Sequence, residues 1–420
     1  MTEERENDVK GQGYLIFLCW LVYLISYVSR YSYNSNMNPI MSEFGIDKAT
    51  AGLVATFYYF AYGAGQIING LLCKRYNKRI MISASLLVSS IVNIIFFMGI
   101  DFRFAKYLWF INGAALSILW SSLISVLGEY LSKNKISISA IVMSTPIVIG
   151  TAVSYGTSAL FVYIGNYRLS FLLGFIVAAA VAVMWFFSFG RYKKTHEKSL
   201  ENEEPTVTPE NKGNIIKGNK KSVVLMLVIM CVFAVVCNLI KDGLQNWTPT
   251  ILKESYGLSD SLSIVLSIAL PALGVFSAAL CVFMQKKIKN PIIVNIILFS
   301  LIGLLIAGLT FAFRTPFWVL VLSIFGVITL FIHTVNNSLT SVTPLFMRDK
   351  IDPGFMAGFV NGFCYVGSTI SAYGLGLIAD KGGWDAVFVL FLAVCGLALI
   401  LGVVSYFVTG RAGDKDDIKD

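Results

Sequence analysis

"YLIFLCWLVYLISYVSRYSYNSNM", residues 14–37, decides how the rest of the chain is read. A helix of this length and apolarity crosses a hydrocarbon core roughly 30 Å thick, which takes about 20 residues. Well inside it stands Arg30. A guanidinium at that depth costs about 3 kcal/mol or more. It therefore calls for a negative charge, supplied either by the protein or by a ligand.

Runs of the same kind recur along the 420 residues, of which 56% are hydrophobic and 14% charged. A soluble protein carries about 25% charged residues, and here the mean hydropathy is +0.73. Spans fall at 14–37, 50–73, 79–99, 106–130, 137–163, 168–190, 222–246, 258–284, 291–312, 316–339, 354–378 and 385–409. The chain reads as an all-α membrane protein: twelve transmembrane helices in two pseudo-symmetric six-helix halves. Its expected parts are a tail over 1–13, a first half over 14–190, a polar linker over 191–221, a second half over 222–409 and a tail over 410–420. The opening "MTEERENDVKGQG" is polar and acidic, unlike a cleavable signal peptide, so the first apolar run is expected to be a retained span.

A net charge of +9 would point a soluble chain towards nucleic acid, but here the basic residues follow topology. The even-numbered short loops hold eleven: Lys74, Arg75, Lys78, Arg79, Lys133, Lys135, Lys286, Lys287, Lys289, Arg348 and Lys350. The odd-numbered loops hold seven, and the linker adds eight to the even side. Both termini and the linker are therefore expected to be cytoplasmic, in a plasma (inner) membrane. The seven cysteines (19, 73, 231, 237, 281, 364 and 395) lie in or beside apolar runs without CxxC spacing. They read as small core residues, not as disulfides or metal ligands.

The two halves resemble each other. At an offset of 217, Ala140, Gly150, Ser154, Gly165 and Phe171 fall on Ala357, Gly367, Ser371, Gly382 and Phe388. At 212, Gly45, Lys74 and Arg75 fall on Gly257, Lys286 and Lys287. Such repeats imply a site at their interface, near mid-membrane, exposed to each side in turn.

Five strongly ionisable residues fall well inside the spans, away from their first residues: Arg30, Glu129, Lys241, Asp242 and His333. Glu129, near a cytoplasmic helix end, is expected to pair with Lys133 at the surface. Arg30 and Lys241 are separated by 211 residues, nearly the repeat offset, and are expected to face each other across the pseudo-twofold axis. Both lie about 24–29 Å from the cytoplasmic helix end, at 1.5 Å per residue. Two cations across a central cavity make an anion site, and arginine adds a planar fork suited to phosphate or carboxylate. The structural alternative has either side chain snorkelling to the interface, or Asp242 neutralising one of them. Asp242 follows Lys241 but points roughly 100° away around the helix, so it is expected to pair elsewhere.

Polar and aromatic side chains accompany the cations. Tyr23, Tyr27 and Arg30 share one face of the first helix, and Tyr62 and Gln66 are four apart on the second. Asn337, Asn361 and Tyr365 lie on spans ten and eleven. They read as ligands for the uncharged part of a polar solute, against the alternative of interhelical glue. His333 is a structural histidine or a proton relay.

The stretch "GLLCKRYNKR", 70–79, resembles the basic loop after the second helix of the major facilitator superfamily. Three further stretches resemble its organophosphate:phosphate antiporters, the family of glycerol-3-phosphate and hexose-phosphate transporters. They are "YLISYVSRYSYNSNMNPIM" (23–41), "LIKDGLQNWTPTILKESYGLS" (239–259) and "MAGFVNGFCYVGSTISAYGLGLIADKGGWDAVF" (356–388). The resemblance implies that Arg30 and Lys241 hold the substrate phosphate, and that Tyr23, Tyr27, Tyr62 and Tyr365 line the cavity. The chain departs from the family at Lys241, where an arginine is usual, at Ile147, where a histidine occurs, and at Gln66, where many members carry lysine.

The expected function is secondary active transport of a small organic anion by alternating access, with a sugar phosphate or polyol phosphate exchanged for inorganic phosphate. No nucleotide-binding motif is present, so no enzyme activity and no cofactor are expected, and a gradient supplies the energy. The expected partners are the anion and the lipid bilayer, with the monomer as the working unit. The alternatives are a proton-coupled symporter of sugar acids or other carboxylates, with His333 or Asp242 titrating, and a transporter-like sensor of sugar phosphate.

Overall fold

The structure is a computed structural model that describes residues 3–72, 76–200, 220–288, 290–347, 351 and 353–416. The basic loop residues Lys74, Arg75, Lys289, Arg348 and Lys350, and linker positions 201–219, lie outside the described residues. We number the membrane helices α1 to α12. They are α1 (Glu3–Asn34, continued by Met37–Phe44), α2 (Lys48–Leu72), α3 (Lys78–Met98), α4 (Phe102–Tyr130), α5 (Lys133–Tyr163) and α6 (Leu169–Leu200). Then come α7 (Lys220–Tyr256), α8 (Asp260–Lys287), α9 (Pro291–Ala312), α10 (Trp318–Asn337), α11 (353–382) and α12 (384–416).

Among the described residues ten helical stretches are long and apolar enough to cross a membrane, and one of these, Met356–Val404, holds both α11 and α12. They part at Gly383, whose φ of 71° is left-handed and suits only a residue without Cβ. The helix that composition alone leaves out is α2, "KATAGLVATFYYFAYGAGQIINGLL", because its glycines, tyrosines and the amides Gln66 and Asn69 dilute its hydropathy.

Prolines account for most irregularities. Pro39 has no N–H to return to Ser35, and α1 breaks there. Ser35 N and Oγ instead donate to Tyr31 O, at 3.0 and 2.7 Å, and Asn36 Nδ2 to Ser32 O. α8 runs in three short pieces, Asp260–Leu266, Ala269–Gly274 and Ser277–Lys287, and Pro271, with no N–H to return to Ser267, accounts for the first break. Ahead of Pro344, α10 widens into a π-turn over Ser338–Val342, and Thr343 Oγ1 donates to Ser338 O at 2.8 Å.

The chain forms two compact units, Met1–Pro39 with Phe60–Gly213, and Ile40–Tyr59 with Asn214–Asp420. In the first unit α1 packs against α5 and α6, and α3 against α4 and α6. Serines 26, 29, 32 and 35 recur every third residue along α1. Ser29 Oγ meets Ser89 Oγ at 2.8 Å, Ser32 Oγ donates to Asn93 Oδ1 at 2.9 Å, and Ser35 Oγ meets Ser158 Oγ at 2.7 Å. This stripe bonds α1 to α3 and α5 and fixes its rotation.

In the second unit α7 packs against α11, and α10 against α8 and α9. The segment Ile40–Tyr59 joins it through the start of α2. Asp380 accepts the N–H groups of Lys48 and Ala49, at 3.3 and 2.8 Å, while Lys48 Nζ lies 3.0 Å from Glu254 and 3.3 Å from Asp380. In the preceding loop, hydrogen bonds from Thr50 hold the Asp47 carboxyl below the usual aspartate value.

Matching positions of the two repeats occupy matching surroundings. A Cβ at Gly150 would lie 2.7 Å from Leu24 O, and one at Gly367 would lie 2.2 Å from Val235 O. Leu24 and Val235 differ by 211, as Arg30 and Lys241 do. Phe171 stacks on Phe96 at 5.1 Å and meets Trp109 at 6.2 Å; Phe388 meets Phe313 at 4.9 Å and Phe325 at 6.0 Å. Gly45 and Gly257, at φ 60° and 64°, end the first and seventh helices alike. A methyl at Gly367 must push α11 away from the α7 backbone, a strain of about 1–3 kcal/mol. Gly367→Ala is therefore expected to lower the melting temperature of the purified protein in detergent by several degrees. Gly358→Ala, which meets nothing within 4 Å, is expected to leave it in place.

Candidate functional site

The first unit places Arg30 on the face of α1 opposite the work done by the serine stripe. It is 7% exposed, and its guanidinium carbon lies 5.5, 5.4 and 5.3 Å from the ring centroids of Tyr27, Tyr31 and Tyr62. Such contacts with ring faces stabilise a cation by about 0.5–2 kcal/mol each, more where water is excluded. The aromatic wall continues through Tyr23, whose hydroxyl is 3.4 Å from that of Tyr27 and whose ring is 4.9 Å from Trp120. At the other end Tyr31 meets Tyr155 at 5.8 Å. Gly150 lets α5 approach so closely that its Cβ position is 2.7 Å from Tyr27 Cβ. Tyr23, Tyr27, Arg30 and Tyr62 are thus brought together; Gln66, one turn beyond Tyr62, is half-buried.

Sequence reading passed over Tyr31, Trp120 and Tyr155. Tyr31 carries a usable signal, since it stands four residues after Tyr27 on the same helix face. Trp120 and Tyr155 come from α4 and α5 and show no local pattern.

In the second unit Lys241 and Asp242 stand in the middle of α7. Their expected separation around the helix is overcome: Lys241 Nζ lies 3.6 Å from Asp242 Oδ1. The four-carbon lysine stem is flexible enough to swing towards the carboxylate, and attraction in a low-dielectric setting draws it there. Asp242 Oδ2 also accepts a short hydrogen bond from Ser368 Oγ on α11. Asn238 Nδ2 donates to Ser368 Oγ at 3.3 Å, and Asn336 Nδ2 on α10 donates to Asn238 Oδ1 at 3.1 Å. These amides and the serine complete a polar network over three helices that sequence reading did not assemble. Asn238 sits three residues before Lys241, a weak signal.

The remaining candidates divide. His333 on α10 is half-buried beside α8, where a Cβ at Gly274 would lie 3.5 Å from its ring. Asn337 Nδ2 donates to Ser277 Oγ at 3.1 Å, which is a helix-to-helix bond between α10 and α8. Asn361 and Tyr365 are half-buried on α11. Glu129 forms an ion pair with Lys78, at the start of α3, a partner sequence reading did not name. The Lys133 side chain lies outside the described residues. Six cysteines are free and buried, as core residues should be, and Cys73 lies outside the described residues.

Repeated helical halves, each with an intramembrane cation at the same place in its first helix, define a class of polytopic membrane transporter. The model of the Major Facilitator Superfamily matches residues 19–349, and the chain belongs to that family. Within it the chain resembles the organophosphate:phosphate antiporters. It is 22% identical to a probable hexose phosphate transport protein of Chlamydia pneumoniae, over 97% of this chain and 95% of that one. To the glycerol-3-phosphate transporter of Bacillus subtilis it is 22% identical, over 89% of this chain and 88% of that one. Among solved structures, a bacterial homolog of the human lysosomal transporter Spinster, in an inward-facing and unoccupied conformation, superposes with a TM-score of 0.72. That match has 16% identity and covers 97% of this chain and 98% of that one.

The three ring faces around Arg30 lead to a stability test. Tyr62→Ala is expected to lower the melting temperature in detergent. Tyr62→Phe, which keeps the face and loses only the hydroxyl, should leave it within about a degree or two, since the cation–π share is about 1 kcal/mol. Equal losses in both variants would mean that the hydroxyl, not the ring, holds the guanidinium.

Proposed function

We propose that the protein is a secondary active transporter that exchanges a phosphorylated sugar or polyol for inorganic phosphate. The observation that carries this reading is the matched position of Arg30 and Lys241. Each stands six residues beyond the carbonyl over which the glycine of a partner helix packs, Leu24 for Gly150 and Val235 for Gly367. In this reading both cations bind the anionic group, Arg30 through its planar fork and Lys241 as a point charge. Tyr23, Tyr27, Tyr62 and Gln66 contact the rest of the solute from the first half, and Asn337, Asn361 and Tyr365 from the second. The names of the relatives from Chlamydia pneumoniae and Bacillus subtilis support a phosphorylated substrate.

We place the chain in a plasma (inner) membrane with both termini cytoplasmic, working as a monomer by alternating access, with no catalysis of its own. Proton-coupled symport of carboxylates is the second reading, and the carboxylate of Asp242 beside Lys241 favours it. A sensor of sugar phosphate would bind the same ligands with little flux.

Exchange of labelled phosphate in proteoliposomes preloaded with unlabelled phosphate tests the reading. Removing either charge from a desolvated anion site costs about 2–5 kcal/mol, so Arg30→Ala and Lys241→Ala are each expected to lose at least about 30-fold in exchange. Arg30→Lys keeps the charge and loses the fork, for a loss of about tenfold. Wild-type protein that takes up sugar acids with protons and exchanges no phosphate would put symport first. Binding without flux would put the sensor first.

A further inference from the structure

Lys286 and Lys287 end the last piece of α8, Ser277–Lys287, and both are exposed. At the offset of 212 they fall on Lys74 and Arg75, so each half carries a basic loop after its second helix. The cations near the two loops are compensated differently. At the start of α3 they are taken up by protein: Lys78 pairs with Glu129, and Arg79 Nε donates to Phe186 O at 2.6 Å, with its guanidinium 3.9 Å from the centre of the Phe186 ring. In the second half the positions that match Glu129, at offsets of 212 and 217, are Ser341 and Phe346, and no Asp or Glu occurs from residue 261 to residue 348. Neither Lys286 nor Lys287 has an ion-pair partner among the described residues.

The two lysines stand at the end of an apolar face. Ala279, Phe283 and Lys287 follow one another at intervals of four, with Val282 and Lys286 beside them at the same interval. All five are exposed, as is Phe276 just ahead of them. The opposite face of this piece is turned to α10, where Ser277 Oγ accepts from Asn337 Nδ2 at 3.1 Å, and Cys281 is buried. A lysine at a helix end ordinarily stretches away from hydrocarbon to reach water. Lys287 instead folds back: its Nζ lies 4.7 Å from the centre of the Phe283 ring, one turn towards the bilayer interior. An ammonium held there without a carboxylate attracts an anion, and the anion a bilayer presents at that depth is the phosphate of an anionic lipid. The flexible lysine stems let both ammonium groups reach one phosphate, in charge-assisted hydrogen bonds.

We propose that this face of α8 seats one anionic phospholipid, with its headgroup phosphate held by Lys286 and Lys287 and its acyl chains lying along Phe276, Val282 and Phe283. The site is separate from the one proposed for the transported anion and does not depend on what that anion is. A zwitterionic lipid carries its own cation into the same place and gains less from the two lysines.

The test is the melting temperature of the purified full chain in detergent against added dioleoyl phosphatidylglycerol, with dioleoyl phosphatidylcholine and inorganic phosphate as separate arms. The wild type is expected to rise by several degrees with phosphatidylglycerol and not with phosphatidylcholine. Each lysine near an anionic surface contributes about fivefold in affinity. The double variant Lys286→Gln/Lys287→Gln is therefore expected to need about 30-fold more phosphatidylglycerol for its half-maximal shift. Lys287→Gln alone, expected to need about fivefold more, serves as the test if the double variant does not fold. Arg103→Gln/Arg314→Gln, which removes as much charge from exposed positions at other helix ends, is expected to respond as the wild type does. Equal half-maximal concentrations in the wild type and the Lys286/Lys287 variant overturn the proposal, as does an equal loss in the Arg103/Arg314 variant. A shift of the same size with phosphatidylcholine also overturns it. A phosphate shift that survives in the Lys286/Lys287 variant belongs to another site and agrees with the proposal. One that is lost there, without any response to phosphatidylglycerol, would put a soluble anion on the two lysines and overturn it.

Discussion

A charge inside a bilayer persists only where protein or ligand compensates it, and the placement of Arg30, buried, and Lys241, half-buried, within the first helix of each half is the constraint on which the rest of this structure turns. Arg30 is held among three tyrosine faces at 5.3 to 5.5 Å. Lys241 has a carboxylate at 3.6 Å. The surrounding helices are arranged around these demands. Serines 29, 32 and 35 bond α1 to α3 and α5, and Gly150 and Gly367 let α5 and α11 close onto the backbones of α1 and α7.

The two repeats therefore share a frame and differ in their electrostatics. The glycine contacts, the left-handed turns at Gly45 and Gly257, and the aromatic clusters around Phe171 and Phe388 correspond almost position by position. The means of compensation do not. A ring face stabilises a cation without changing the net charge, whereas the Asp242 carboxylate sets an opposite charge beside Lys241.

Much of this was legible in the sequence, for physical reasons. Apolar length gave the spans, since a bilayer allows few alternatives to a helix of about 20 residues. The intramembrane cations and the tyrosines at spacings of three and four on α1 were equally plain. What escaped notice depended on tertiary distance. Trp120 and Tyr155 reach the Arg30 wall from other helices, and Ser368 reaches Asp242 from 126 residues away. Helical geometry turned Asp242 away from Lys241, but a flexible lysine crosses that angle readily. The pairing of Glu129 with Lys78, 51 residues away at the start of α3, likewise leaves no local pattern.

The central claim, that Arg30 and Lys241 together hold an anion, is tested most directly by equilibrium dialysis of the purified protein in detergent against labelled inorganic phosphate. The account expects one phosphate bound per chain, displaced by a hexose phosphate but not by the free hexose, and lost when either cation is replaced by alanine. Phosphate bound equally well by the chain lacking both charges, or displaced by the free hexose, would contradict it.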